Sequence, residues 1–190
     1  MVLSRGGKKL SMGGKGLMLS IILGILMGVN PYFSQPLMAK EPVTKEHLLK
    51  AAFVYNFLKF VRLPKDSSEI TICIEGNSPM GEALKSLEGK KVNDQVIRLK
   101  KCSVHCDPKA CQVLFLANGS EKRIKEIVKG CEKDGILTIS DLPEAVDNGV
   151  MIGLIRIEGK IRFEVNLRSA QKAGIFISSK LLRLSQRVVK

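Results

Sequence analysis

The chain carries five cysteines, Cys73, Cys102, Cys106, Cys111 and Cys131, and two histidines, His47 and His105. These residue types ligate metals, carry thiol redox chemistry and serve as nucleophiles or bases. Cys102, His105, Cys106 and Cys111 crowd together in sequence and invite a zinc reading. Their spacing matches no common zinc finger, so no metal is expected. No Cys-x-x-Cys occurs, which argues against a thioredoxin-like oxidoreductase. Ser178-Ser179-Lys180 resembles a serine–lysine pair but lacks the Ser-x-x-Lys spacing; a helix N-cap is the better account of either serine. Gly76 sits in a loop between an apolar run and a helical pattern, where a phosphate could bind. The loop has neither G-x-G-x-x-G spacing nor a Gly-Lys-Ser/Thr ending, so a plain strand-to-helix connection is expected. No paired acids in a glycosidase-like setting can be picked out. Catalytic residues and cofactors are therefore expected to be absent, and the chain is read as a non-enzyme.

The elements that would place these residues follow from periodicity. Thr44 can cap a helix running to about Val61, with Leu49, Phe53, Phe57 and Phe60 on one face. Pro64 ends it. Ile70 to Ile74 is a dense β-branched run and reads as a buried strand. Ser78 and Pro79 read as N-cap and first helical residue of a helix to about Leu87, closed by Gly89. Val96 to Lys100 reads as a strand nearer an edge, and Val113 to Leu116 as a central strand. Ser120 is expected to cap the next helix, with Ile124, Ile127, Val128 and Cys131 on one face and Gly135 at its end. Ile136 to Ile139 is a strand, and Asp141 to Val146 a short helical segment.

Val150 to Ile157 and Ile161 to Leu167 are strands joined by a Gly159-containing hairpin. Ser169 to Ala173 is a helical turn stopped at Gly174, followed by a second apolar run through Leu184 and a basic tail. The expected fold class is α/β: a layered mixed β-sheet, mostly parallel in its first half, with a C-terminal antiparallel hairpin and helices on both faces. Arg162, Glu164 and Asn166 share one side of the second hairpin strand. They form either a salt-bridged structural row or part of a partner-docking face.

The net charge is +13. Arg5, Lys8, Lys9 and Lys15 form a basic start with no acid, followed by an apolar stretch from Leu17 to Val29. That stretch is about thirteen residues, the length of a signal-peptide core and short of the roughly 20 needed to span a membrane. Residues 1–39 are read as a cleavable signal peptide and residues 40–190 as one domain, exported to the periplasm. Losing those four basic residues takes the charge of +13 to +9. An exported basic protein meets acidic partners and anionic surfaces, so nucleic acid is not an expected partner. Cysteines in that compartment oxidise. Cys73 lies in an expected strand and Cys111 just before another; neighbouring strands would bring them into disulfide range. Cys102 and Cys106 form a second possible pair across a short loop, which leaves Cys131 over. Sequence alone does not fix the connectivity.

Arg162-Phe163-Glu164-Val165-Asn166-Leu167, the Ala170-x-x-Ala173-Gly174 step and Ile177-Ser178-Ser179-Lys180-Leu181-Leu182-Arg183-Leu184 together resemble the C-terminal signature of the YfiR family. Leu48 to Val61 resembles the family's first helix, and the resemblance covers roughly Val43 to Val188. One departure is Leu63-Pro64 where the family usually has Trp-Pro; this chain has no Trp. The resemblance favours cysteines at positions 73 and 111. It implies a periplasmic homodimer that represses a membrane-bound diguanylate cyclase by binding its periplasmic sensor part, lowering cyclic-di-GMP signalling. The alternative expectation is a periplasmic small-molecule binding or sensor domain, with ligand at the carboxyl ends of the parallel strands.

Overall fold

A computed structural model describes residues 41–65, 67–102 and 110–190. The expected signal peptide, His105 and Cys106 lie outside the described residues. Chain order is α1 (Lys45–Phe60), β1 (Val61–Arg62), β2 (Glu69–Glu75), α2 (Pro79–Leu84), β3 (Lys91–Val92), β4 (Gln95–Cys102), β5 (Val113–Leu116), α3 (Ile124–Asp134), β6 (Leu137–Ser140), β7 (Ile152–Ile157), β8 (Lys160–Asn166), α4 (Leu167–Lys172), β9 (Phe176–Ile177), α5 (Ser179–Leu184) and β10 (Arg187–Val189).

The main sheet runs β10-β8-β7-β6-β5-β2-β4-β3. Strands β4, β2, β5, β6 and β7 are parallel. The β7–β8 hairpin is antiparallel, as its Glu158-Gly159 link requires. Both link residues are left-handed, at φ of 49° and 75°, the backbone that lets a two-residue turn follow the strand twist. β1 and β9 form a separate two-stranded ribbon.

Alternation along the central strands divides the core between the two faces of the sheet. Ile72, Ile74, Val113, Phe115, Leu137 and Ile139 pack with Ala51, Val54, Phe57 and Leu58 of α1, with Met80 and Leu84 of α2, and with Leu181 of α5. Cys73, Leu114 and Leu116 point the other way and meet Ile124, Val128 and Cys131 of α3. Phe57 is 1% exposed and its ring centre lies 4.9 Å from that of Phe163, which ties α1 to β8. Burying such a ring contributes about 1.5–3 kcal/mol.

Three local expectations fail, each for a visible reason. Residues 141–146 form turns, not a helix. Pro143 biases Leu142 away from helical ψ, and Glu144 is left-handed at φ 54°. Ser120 does not cap: its hydroxyl reaches back to the Glu75 carbonyl at 3.4 Å, and a 3-10 turn at Glu121–Arg123 precedes α3. Part of the basic tail becomes strand β10, paired in parallel with β8. Arg187 fixes it there, binding Glu164 and Asp147 together at 2.8–2.9 Å.

Candidate functional site

The cysteines come together because β2 stands between β4 and β5. Cys73 on β2 and Cys111, two residues before β5, form a disulfide with their Cα atoms 5.8 Å apart. Both are buried, at 0% and 1% exposure. Cys102 closes β4, and its sulfur lies within 4.8 Å of both others. Cys102 is also in disulfide form, while Cys106, its expected partner, lies outside the described residues. Three converging sulfurs would suit a soft metal as thiolates. Cys73 and Cys111 are joined to each other, so this cluster is an oxidised staple under the sheet. Cys131 is the odd cysteine, free and buried. Burial pushes its thiol up to about 12, helped by the charges of Glu75 and Asp134. Such a thiol is unreactive at neutral pH.

The other expected chemistry resolves into structure. His47 Nδ1 accepts a hydrogen bond from the Thr44 backbone N–H at 3.0 Å, and Thr44 Oγ1 accepts from the His47 N–H at 3.3 Å, a reciprocal helix cap. Ser178 Oγ accepts from the Leu181 N–H at 3.3 Å and caps α5, and Ser78 Oγ accepts from the Met80 N–H at 3.0 Å and caps α2. At Gly76, φ is 99°, and a Cβ there would meet the Asn118 carbonyl oxygen at 2.5 Å. Asn77 N–H donates to that same oxygen at 3.0 Å. The loops after β2 and β5 therefore close on each other at their carboxyl ends, and the glycine serves backbone packing rather than a phosphate.

The Arg162, Glu164 and Asn166 row divides. Asn166 is 8% exposed; it donates to the Val146 carbonyl at 3.1 Å and accepts from the Ser169 N–H at 2.9 Å, capping α4. Glu164 is ion-paired to Arg187 at 2.8 Å. Of the three, only Arg162 is exposed. Two of the three thus hold the fold's own parts together.

A different region offers an opening. A cleft of about 610 Å³ lies between the β1–β9 ribbon and the amino ends of β2 and β4. Its lining includes Lys59, Phe60, Arg62, Lys65, Asp94 and Phe176. Phe176 is 58% exposed, with the Arg62 guanidinium 5.6 Å from its ring centre. Lys180 Nζ stands 5.2 Å from the Phe60 ring centre. Among the described residues Lys59, Arg62 and Lys65 make no ion pair, whereas Arg98, Arg156 and Arg187 each do. The cleft thus offers aromatic surface beside cations not neutralised by the chain. Sequence reasoning passed over it because its residues come from three separate stretches of the chain, 58–70, 93–95 and 176–178. The signals present were Phe176 out of phase with its buried neighbours Ile175 and Ile177, and basic residues at 59, 62 and 65.

Among solved structures, the chain resembles a conserved domain protein from Vibrio cholerae O1 biovar El Tor, at TM-score 0.53 and 12% identity, covering 75% of this chain and 60% of that one. It also resembles an ABC domain in complex with L-Trp from Streptococcus pneumoniae, at TM-score 0.49 and 9% identity, covering 71% and 59%. The chain spans about 60% of the length of each. At such identity the first likeness speaks to the fold alone. The sequence itself matches one family, described as YfiR/HmsC-like, over residues 47–186. That family is one of periplasmic regulators rather than catalysts. The match takes in α1, the disulfide-bearing strands, the hairpin and the capped C-terminal turns, and the chain belongs to the YfiR/HmsC-like family.

Proposed function

We propose that the protein is exported through a cleavable signal peptide at residues 1–39. In the periplasm it acts as a homodimer that represses an inner-membrane diguanylate cyclase by binding the cyclase's periplasmic sensor region. The observation that carries this reading is the family match across residues 47–186, set on a domain with an oxidised, buried Cys73–Cys111 pair. A disulfide in the core suits an oxidising compartment. Histidine, serine and glycine motifs that could have meant catalysis are used as caps and packing. Repression then follows from binding alone. A protein that binds only the inactive receptor conformation shifts the equilibrium by its differential affinity for the two states. Moving a population from 1:99 to 99:1 takes about 5.5 kcal/mol of such difference.

The experiment is gene deletion with cyclic-di-GMP measured in the same cells, joined to capture of the tagged protein from intact cells by cross-linking. Deletion is expected to raise cyclic-di-GMP, and capture to bring down a membrane cyclase. Unchanged cyclic-di-GMP on deletion defeats the proposal. Sedimentation of the purified protein tests the homodimer. The competing reading, a small-molecule sensor with ligand at the carboxyl ends of the strands, would need an opening where Gly76 and Asn118 are in contact.

A further inference from the structure

We infer that the cleft beside the β1–β9 ribbon is the docking site for an extended, acidic segment of a protein partner, one carrying an aromatic or aliphatic side chain to lie on Phe176. The inference deepens the proposed function and rests on reading the chain as a regulator that works by binding a protein.

Charge chooses the occupant. Among the described residues Arg62 and Lys65 share the lining with one acid, Asp94, and neither is ion-paired, while Lys59 donates to Asn56 Oδ1 at 3.2 Å and lies 4.3 Å from the Tyr55 ring centre without an ion pair. The three cations stand three residues apart in sequence, at the end of α1, in β1 and in the segment after it. A row of separated cations suits a string of carboxylates; a single small anion would be gripped by convergent donors. Burial points the same way. Among the described residues Phe176 is one of five large apolar residues left exposed, and the Arg62 guanidinium lies 5.6 Å from its ring centre. An aromatic and an arginine side by side are what partner-binding surfaces are enriched in. Backbone completes the case. Among the described residues β1 and β9 pair only with each other, so each has one edge without a strand partner. An extended segment can add main-chain hydrogen bonds there, with alternate side chains entering the cleft.

The test uses the full chain exported and purified from the periplasm. The cleft variants are Arg62→Glu/Lys65→Glu and Phe176→Ala. The control, Lys122→Glu/Lys125→Glu, changes the charge equally on exposed residues of the Ser120–Gly135 region. Retained melting temperature and intact disulfide confirm that each variant folds. The probe is a fluorescein-labelled hexapeptide, Asp-Glu-Phe-Glu-Val-Asp, followed by anisotropy, with a lysine-for-acid version as its counterpart. Wild type and control are expected to bind the acidic peptide, more weakly as salt rises. The charge variant should bind at least about tenfold more weakly, Phe176→Ala about three- to tenfold more weakly, and the basic peptide not at all. No binding at millimolar peptide, equal binding by the cleft variants, or displacement of the peptide by millimolar free phenylalanine or phosphate overturns the inference.

The same variants are then returned to cells lacking the gene. If deletion leaves cyclic-di-GMP unchanged while the purified protein binds the peptide in the cleft, the regulatory reading falls and the docking site stands. If deletion raises cyclic-di-GMP and the cleft variants repress it in full, the docking site falls and the regulatory reading stands.

Discussion

Replacing both cysteines of the buried staple, Cys73→Ala/Cys111→Ala, should destabilise the domain by about 4 kcal/mol. The figure comes from the 38 residues that separate the pair, since cross-linking a loop of that length removes about 13 cal/mol/K from the unfolded chain. The two Cα atoms sit 5.8 Å apart, inside the ordinary disulfide range, so the cross-link fits the fold without a shift of backbone. The missing sulfurs act in the same direction, because both residues are buried and the sheet cannot close fully behind them. For a unit the size of Lys40–Lys190, a loss of 4 kcal/mol lowers Tm by about 8–16 °C. Urea unfolding followed by circular dichroism measures this, with wild type kept oxidised. The m-value carries a second signature. Freeing the unfolded chain exposes more surface, so m should rise in the variant as the midpoint falls. A loss below about 1 kcal/mol with unchanged m would refute the claim that the staple acts by restricting the unfolded chain. The single variant Cys73→Ala adds a sharper check. It leaves, within 4.8 Å of the Cys102 sulfur, a Cys111 thiol whose attack on the Cys102 disulfide releases the present partner of Cys102 as a thiol, and peptide mapping should recover the Cys102–Cys111 bridge.

Cys131, with its thiol held near 12, should resist iodoacetamide at pH 8 in the native protein, where only about one molecule in ten thousand is thiolate, and react after guanidinium unfolding; rapid native labelling counts against its buried position. Gly76→Ala should cost about 1–3 kcal/mol by chemical denaturation, since it puts a Cβ 2.5 Å from the Asn118 oxygen at a φ of 99°; a neutral result would mean the two loops separate freely. Asp147 accepts hydrogen bonds from Arg187, which hold its carboxyl below the ordinary value of 3.8. Because the native carboxyl is the stronger acid, the stabilisation from this pair is present above the ordinary aspartate range and fades as pH falls through the lowered native value. Carboxylate NMR titration should show Asp147 moving up in Arg187→Ala, and no movement would dissociate the two.

Most of the fold was legible because its determinants are local. Ile70 to Ile74 could be little other than a buried strand, and Gly135 and Gly174 stop their helices in left-handed backbone as read. What escaped were elements that exist only through tertiary pairing. Val61–Arg62, Lys91–Val92 and Arg187–Val189 are two or three residues each, too short for any periodicity to emerge. β10 in particular is defined by Arg187 reaching two carboxylates, 40 and 23 residues away. A basic tail reads as solvated until those acids are known to stand beside it.

The same reason separates the two kinds of site. The row of Arg162, Glu164 and Asn166, structural or docking, was visible because alternation on one strand marks a shared side, yet alternation does not say what lies opposite. Val146 and Arg187 lie opposite, and they occupy Asn166 and Glu164. The cleft shows the converse. Lys59, Arg62 and Lys65 form no motif in the sequence, and Phe176 falls inside the apolar run that follows Gly174. Pairing of β1 with β9 places Arg62 opposite Phe176, and only then do unpaired charge and exposed aromatic surface coincide. A regulator that works by contact needs a surface left unsatisfied by its own fold. Such a surface is recognised by what its residues fail to find within the chain, and that is knowable only after every other partner has been assigned.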